Sequence, residues 1–341
     1  MKLVKKFMKK YKYQYVITRT PYRISLGGGG TDLPFYSKIK SADLISAAIN
    51  QYCIVSVGIR KVDKDILIQT TKVERVKEAS EIKHDIIRAC LEYFKINDSV
   101  QISTFSTIPS KTGLGSSSTL TVGLVHALAV LKGIRMSKKQ IARTSWFIER
   151  KILSLEGGIQ DQYIASYGGI RRIQVSKGGK VLVTQVKLKK SIMMILEKYL
   201  IMIFSGQQRN SVKVVKGVVN NIHKSIKLYD IIKSIGAKTK KFLLQGDIEN
   251  IGILMDQHWL IKKKLSNSIS NDMIDKKYIK LKKIGSNGGK IIGAGGGGFY
   301  IMAVSKKNIK KFKNELKKHN FYSFDWKFDM NGSCIIEKKI N

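Results

Sequence analysis

The segment Pro109–Ser118 constrains the fold more than any other part of the sequence. An alternating strand predicted over 100–108 runs into the loop SKTGLGSSS, and a helix is predicted over 116–132. Gly113 and Gly115 let the backbone approach a ligand closely, and the start of a helix offers unpaired N–H groups and a partial positive charge. This arrangement favours phosphate binding, with the serines able to cap the helix or reach Mg²⁺. A serine cap after a glycine turn, which needs no ligand, is the alternative.

Three better-known phosphate motifs do not account for the chain. The sequence has no G-x-x-x-x-G-K-[ST] segment, so it is not a P-loop protein. Gly293, Gly295 and Gly298 match G-x-G-x-x-G, but a strand follows them rather than a helix, which argues against dinucleotide binding. The H-R-D and D-F-G motifs of protein kinases are also absent.

A second glycine segment, Thr20–Asp32, has Arg23 and Asp32 on either side of four consecutive glycines. An aspartate beside bare backbone can hold sugar hydroxyls, and an arginine can stabilise charge on a transferring phosphoryl group. By itself, the segment would more simply be a strand–turn corner with a surface arginine.

Two acidic residues complete the pattern. Glu149 lies on a helix predicted over 138–153, and Asp161 follows twelve residues later, past a glycine turn. One carboxylate for Mg²⁺ and one to accept a hydroxyl proton are the minimum that a small-molecule kinase needs. Either acid alone would be read as a solvated surface group.

The charge balance is strongly basic, with 63 Lys and Arg against 24 Asp and Glu and a net charge of +39. Only 11 of the basic residues are Arg, and the lysines are spread along the whole chain. Because nucleic-acid readers concentrate charge on one face and favour Arg, this pattern suggests attraction for anionic substrates instead. Three distant cysteines indicate neither disulfides nor zinc, and we expect no membrane segment and a cytoplasmic protein.

Taken in order, these segments resemble the GHMP kinases. P-x-R followed by G-G-G-T-D resembles their first motif, P-x-x-x-G-L-G-S-S-S their ATP loop, and G-A-G-G-G-G-F their third motif. The resemblance implies an ATP-dependent, Mg²⁺-requiring kinase with an α+β, two-domain fold. An N-terminal ATP-binding α/β domain with a left-handed crossover would span 1–188, and a ferredoxin-like domain would span 189–341.

The resemblance also assigns roles by position. Asp161 would be the catalytic base, assisted by Arg23, and Glu149 with Ser117 would hold Mg²⁺. Two larger sets are expected to bind ATP and the acceptor. The ATP set is Pro109, Gly113, Leu114, Gly115, Ser116, Ser117 and Ser118, and the acceptor set is Gly29, Gly30, Thr31, Asp32, Gly295 and Gly296.

Within the family, three stretches are most similar to the heptose 7-phosphate kinases: 20–36, 160–169 and 257–299. We therefore expect phosphorylation of the anomeric hydroxyl of D-glycero-α-D-manno-heptose 7-phosphate, supplying a nucleotide-activated heptose for surface glycans. Arg209, at the start of a predicted helix, is the first choice for holding the substrate phosphate, ahead of Arg171 and Arg172. The alternatives are a kinase for another sugar such as fucose, a non-catalytic sugar-binding protein on the same fold, and a nucleic-acid binder. A homodimer is possible.

Overall fold

The structure is a computed structural model that describes residues 11–208 and 222–341, together with Val214 and Val218. In these ranges twelve strands form two sheets. The strands are β1 (Tyr13–Gly27), β2 (Ala42–Ile59), β3 (Ile66–Gln69), β4 (Val73–Val76), β5 (Val100–Ser106), β6 (Ile170–Val175), β7 (Val181–Gln185), β8 (Leu200–Phe204), β9 (Gly288–Ile291), β10 (Phe299–Ala303), β11 (Ser323–Phe324) and β12 (Cys334–Ile340).

Ten α-helices lie between the strands in the same ranges. They are α1 (Pro34–Lys40), α2 (Asp85–Tyr93), α3 (Ser116–Leu131), α4 (Lys138–Phe147), α5 (Gln160–Tyr167), α6 (Lys190–Tyr199), α7 (Ile222–Gln245), α8 (Ile248–Lys263), α9 (Asp272–Lys283) and α10 (Ile309–Lys318). The helix predicted over 138–153 ends earlier, because α4 passes into a π-helical turn at Ile148–Ile152. No helix in the described ranges combines the length and apolarity that a membrane crossing requires.

The first sheet is built on the long antiparallel pair β1 and β2. Its strand order is β12-β1-β2-β5-β3-β4, and the first half of β2 pairs with β6, which in turn pairs with β7. The strands β3 and β5 are parallel, and the chain passes through β4 and α2 between them. Buried and partly exposed residues alternate in the first half of β1, whereas every residue from Thr20 to Gly27 is buried.

Helix α3 packs across β1 and β2 and begins at the predicted phosphate loop. Eleven of its sixteen residues are buried, so its sequence is apolar nearly all round. A side chain at Gly123 would come within 3.0 Å of Val55 Cγ2, which shows how closely the helix approaches the sheet. This packing fixes the N-terminus of α3 relative to β1, where Arg23 lies.

The second sheet has the strand order β11-β8-β10-β9, with every pairing antiparallel. In sequence order this is 4-1-3-2, the topology of a ferredoxin-like sheet, as predicted for the C-terminal part. Helix α8 packs on β9 and β10.

The last strand, β12, returns to the first sheet and pairs with β1. The predicted boundary at residue 188 places β1–β7 in the first domain and all later strands in the second. The strand β12 is one of those later strands, but it belongs to the first sheet. We therefore propose that the second domain ends before β12, and that residues 334–340 complete the first domain. The chain's three cysteines are free thiols.

Candidate active site

A cavity of about 990 Å³ lies where elements of the two sheets meet. That volume is large enough for a nucleotide and a second small molecule together. Most of the residues predicted from the sequence line it. They are Arg23, Gly29, Gly30, Asp32, Pro109, Gly113, Gly115, Ser116, Ser117, Ser118, Glu149 and Asp161.

The predicted phosphate loop runs along one side of this cavity. Gly113 and Gly115 have φ angles of +92° and +86°, a left-handed conformation that favours glycine. Gly115 is the N-cap of α3, and no side chain hydrogen-bonds to the N–H groups of the first turn there. Those N–H groups are thus available to a phosphate at the positive end of the helix dipole.

Arg23 and Asp161 form a two-point ion pair in the cavity wall. Nε and Nη2 of Arg23 each lie 2.7 Å from one carboxylate oxygen of Asp161, and Nη1 donates to Gly113 O at 2.6 Å. Arg23 is 4% exposed and Asp161 is 24% exposed. Burial opposes ionisation of Asp161, but the charge and hydrogen bonds of Arg23 outweigh it and hold the pKa below its usual range. Asp161 is therefore ionised at neutral pH and partly open to the cavity.

Glu149 is fully buried in the π-helical turn that follows α4. Its carboxylate accepts hydrogen bonds from Thr121 Oγ1 at 2.7 Å, Ser118 Oγ at 2.9 Å and Gln162 Nε2 at 2.7 Å. Burial raises the pKa of Glu149, while the nearby Arg150 and these donors act against the rise. The carboxylate thus ties α3, α5 and the π-helical turn together. Short π-helical segments are frequent at functional sites.

The oxygens around Glu149 suit a magnesium ion. Ser117 Oγ lies 3.5 Å from Glu149 Oε1, beside the start of the phosphate loop helix. Magnesium ligands stand about 2.1 Å from the ion and neighbouring ligands about 3 Å from each other, so a small closure would let both oxygens bind one ion. Among the described residues no three His, Cys, Asp or Glu side chains cluster as a metal site. The pair therefore fits an ion that is shared with nucleotide phosphates, which is the usual way in which Mg²⁺ is bound.

Asp32 follows β1 in the chain and contacts the N-terminus of α5, near Asp161. Its Oδ2 accepts hydrogen bonds from the backbone N–H groups of Ile159 and Gln160 at 2.8 and 2.9 Å. Burial raises the pKa of Asp32, and the neighbouring Asp161 charge adds to the rise, while the two N–H bonds oppose it. With Oδ2 anchored in this way, Oδ1 is the atom that could contact a sugar hydroxyl.

Four of the predicted contacts lie outside the cavity wall, and a fifth is not among the described residues. Thr31 is fully buried and donates to Gly28 O at 2.8 Å, so it shapes the glycine loop without lining the cavity. Leu114 is also fully buried, and its carbonyl accepts from the Arg23 N–H. Gly295 and Gly296 pack against Ile269 and are not part of the cavity wall among the described residues. Arg209 lies outside the described residues.

Arg171 and Arg172, the two weaker candidates for a contact to the substrate phosphate, form their interactions outside the cavity. Arg172 forms an ion pair with Asp43 on the neighbouring strand. Arg171 donates to Gly168 O at 2.7 Å and lies over the Tyr167 ring. Neither arginine lines the cavity.

The cavity wall also contains residues that were not predicted, and three of them are basic side chains from α8 and β9: His258, Lys262 and Lys290. Lys290 lies in β9 between apolar neighbours and is 2% exposed, and His258 is also 2% exposed. A lysine inside the apolar run at 289–292 was the sequence signal that could have identified this position, because an unpaired charge is rarely placed in a buried strand. His258 and Lys262 gave no comparable signal.

The comparisons with known proteins agree with this arrangement. The family profile described as the GHMP kinases N terminal domain matches residues 80–169, and the GHMP kinases C terminal profile matches residues 239–322. The chain is 29% identical over 330 residues to a D-glycero-alpha-D-manno-heptose 7-phosphate kinase of Campylobacter jejuni, covering 92% of this chain and 97% of that protein. It is 29% identical over 235 residues to a bifunctional fucokinase/GDP-fucose pyrophosphorylase of Arabidopsis thaliana, covering 67% of this chain and 22% of that protein.

Solved structures show the same fold. A crystal structure of a D-glycero-D-manno-heptose 1-phosphate kinase from Bacteroides thetaiotaomicron superposes with a TM-score of 0.79 at 23% identity, covering 94% of this chain and 99% of that chain. A sugar kinase structure from C. jejuni, described as putative, superposes with a TM-score of 0.74 at 27% identity, covering 95% and 99%. The chain belongs to the GHMP kinases, a family of ATP-dependent kinases, and it has their two-domain α+β fold.

Proposed function

We propose that this kinase transfers the γ-phosphoryl group of ATP to the C1 hydroxyl of D-glycero-α-D-manno-heptose 7-phosphate, giving the 1,7-bisphosphate and ADP. The observation that carries the proposal is the Arg23–Asp161 ion pair, held against the Gly113 carbonyl in a cavity large enough for both substrates. The similarity to the C. jejuni heptose 7-phosphate kinase over nearly the whole length of both chains supports this choice of acceptor.

In this mechanism Asp161 accepts a hydrogen bond from the C1 hydroxyl and orients its oxygen toward the γ-phosphorus. The new C1 oxygen–phosphorus bond forms as the bond between the γ-phosphorus and the ADP oxygen breaks. Because phosphoryl transfer has a loose transition state, the hydroxyl proton can move late to the Asp161 carboxylate. A low pKa suits that role, since Asp161 is always ionised and ready to accept the bond.

Arg23 has two roles in this account. It fixes both oxygens of Asp161, and its charge faces the phosphates next to the loop. The N–H groups at the start of α3 hold the nucleotide phosphates, and Glu149 with Ser117 would hold Mg²⁺ beside them. When bound, the metal would neutralise negative charge on the phosphates. Asp32 would contact a sugar hydroxyl.

A fucose-type sugar kinase is the second candidate, favoured by the similarity to the Arabidopsis fucokinase over 67% of this chain. Initial rates with a panel of acceptors separate the two. We expect the highest kcat/KM for heptose 7-phosphate, above fucose, mannose and unphosphorylated heptose. A higher kcat/KM for fucose would overturn the heptose assignment, and no phosphorylation of any acceptor would favour a non-catalytic protein.

A further inference from the structure

The cavity holds a group of basic side chains that the steps above do not use. His258 and Lys262 are one helical turn apart on α8, so they share a face of that helix. Lys290 is on β9, the strand on which α8 packs. All three line the same cavity as Arg23 and Asp161. They belong to the second sheet and its helices, whereas the phosphate loop belongs to the first sheet and its helices.

The burial of this basic cluster, defined as His258, Lys262 and Lys290, is unusual. Their exposed fractions are 2%, 8% and 2%. Neither ring nitrogen of His258 has a hydrogen-bond partner within the part of the chain that the structure describes. Lys290 has no hydrogen bond or ion pair to any residue in the described ranges. Buried polar groups are normally paired, and a buried charge without a partner is costly, so such an exception calls for an explanation.

The carboxylates that share the cavity wall do not serve as partners for Lys290. Asp161 is paired with Arg23, Glu149 is surrounded by its own donors, and Asp32 accepts the N–H groups at the start of α5. The fourth carboxylate of the wall, Glu156, forms no ion pair with Lys290. Lys262 donates to Gly293 O, which holds its ammonium group beside the glycine turn. Lys290 lies near enough to Arg23 for the two charges to repel. Among the described residues, no carboxylate therefore neutralises the positive charge of this part of the wall.

We propose that His258, Lys262 and Lys290 form the subsite for the phosphate group that the acceptor sugar already carries. Two ammonium groups and an imidazole N–H offer point charges and hydrogen-bond donors that match the oxygens of a phosphate dianion. Because the loop at the start of α3 already provides donors for the nucleotide, the cluster is a second anion site. The assignment rests on the proposed function and replaces Arg209 as its phosphate contact.

The lowered pKa of Lys290 is consistent with this role. Burial is the main cause, the Arg23 charge contributes, and together they lower the pKa to about 7. A neighbouring phosphate would favour the charged ammonium and raise that value again. Burial likewise lowers the pKa of His258, with Lys290 and Lys262 adding to the effect, so the imidazole is neutral and offers one N–H.

The test compares kcat/KM for heptose 7-phosphate and for unphosphorylated heptose in wild type, Lys290→Met and His258→Asn. Lys264→Met is the matched control, since Lys264 is an exposed lysine next to the end of α8. Charge-assisted hydrogen bonds are strong enough that Lys290→Met should lower kcat/KM for the phosphorylated sugar about tenfold or more. The value for unphosphorylated heptose and the KM for ATP should stay within about twofold, and Lys264→Met should match wild type.

Three results are informative in different ways. If wild type prefers the phosphorylated sugar and both variants keep that preference, the subsite is wrong and the proposed function stands. If Lys290→Met raises the KM for ATP or slows both acceptors equally, the cluster serves the nucleotide or the fold, and the subsite is again wrong. If wild type itself shows no preference, the proposed sugar-phosphate substrate fails. Circular dichroism of each variant verifies that it is folded.

Discussion

Arg23 holds Asp161 by both carboxylate oxygens, with Nε–Oδ1 and Nη2–Oδ2 distances of 2.7 Å. The two residues are 138 positions apart in the chain, one on β1 and the other in the first turn of α5. The third guanidinium nitrogen reaches the Gly113 carbonyl at 2.6 Å, so the same side chain connects Asp161 to the predicted phosphate loop. In the proposed mechanism, a displacement of either residue would disturb both substrates.

Asp161→Asn tests the role of this carboxylate. We expect kcat to fall about 10²-fold or more while ATP binding stays nearly intact, because the amide cannot take the hydroxyl proton. Steady-state kinetics and a nucleotide-binding titration measure the two quantities. Glu92→Gln, an exposed acid on α2, is the control and should match wild type. A near-normal kcat in Asp161→Asn would rule out the assigned role.

Arg23, Glu149 and Asp161 were predicted from the sequence as site residues, and all three line the cavity, although the ion pair between Arg23 and Asp161 was not predicted. Arg23 and Asp161 each lie within four residues of a glycine segment that is visible in the sequence. Thr31 and Gly296 also lie in such segments, yet one is turned into the core and the other bonds to Ile269 O at 2.7 Å. Side-chain direction within a glycine loop depends on tertiary packing, which motif spacing does not encode.

The fold was predictable to a similar extent. Alternation and helical spacing identified β5, α3 and the strand that follows Gly298, since each is a regular element with an alternating or largely apolar pattern. The return of β12 to the first sheet was missed, because pairing between residues more than 300 positions apart leaves no local signal. The basic cluster was missed as a group because α8 and β9 meet only in the folded protein, although Lys290 alone had a local signal in its apolar run.

Glu149→Gln tests the metal site. An amide is a poorer ligand for Mg²⁺ than a carboxylate, so we expect the Mg²⁺ concentration at half-maximal rate to rise several-fold. The amide NH₂ would also face the donors Thr121, Ser118 and Gln162, so the free energy of unfolding should fall. A magnesium titration of initial rate, with Glu249→Gln as the control on an exposed acid of α8, measures the first effect. An unchanged titration in a less stable variant would mean that Glu149 only anchors helices.

Gly115→Ala tests the contact between the loop and the catalytic pair. The Gly115 φ is +86°, and a Cβ there would lie 3.1 Å from Asp161 Oδ2. We expect a loss of about 1–2 kcal/mol in the free energy of unfolding from the left-handed backbone, and a fall in kcat of about tenfold or more from displacement of Asp161. Gly178→Ala is the matched control, because its nearest atom is 3.9 Å away and its φ is ordinary. Equal kinetics in both variants would contradict the loop geometry.

Lys290→Met gives a prediction for stability against pH. The folded pKa of Lys290 is lowered to about 7, so between pH 7 and the ordinary lysine range the unfolded chain binds more protons than the folded one. In the wild-type protein the free-energy cost of burying a charged Lys290 is therefore greatest below pH 7 and declines as the pH rises toward 10. The variant lacks this penalty, so its Tm should exceed that of wild type by a few degrees at pH 6, and the difference should shrink at pH 9. Arg23, Lys262 and His258 are basic groups near this site, and loss of the Lys290 charge also removes one of the causes that lower the pKa of His258.

Nuclear magnetic resonance of the product formed by the wild-type enzyme from ATP and heptose 7-phosphate tests the central claim most directly. The account predicts two phosphorus signals in the sugar product, of which the new one couples to the proton on C1. The Asp161→Asn enzyme should give this product at a rate at least about 10²-fold lower. A new phosphate that couples to any other sugar proton, or ATP consumption without a phosphorylated sugar, would contradict the assignment of an anomeric kinase.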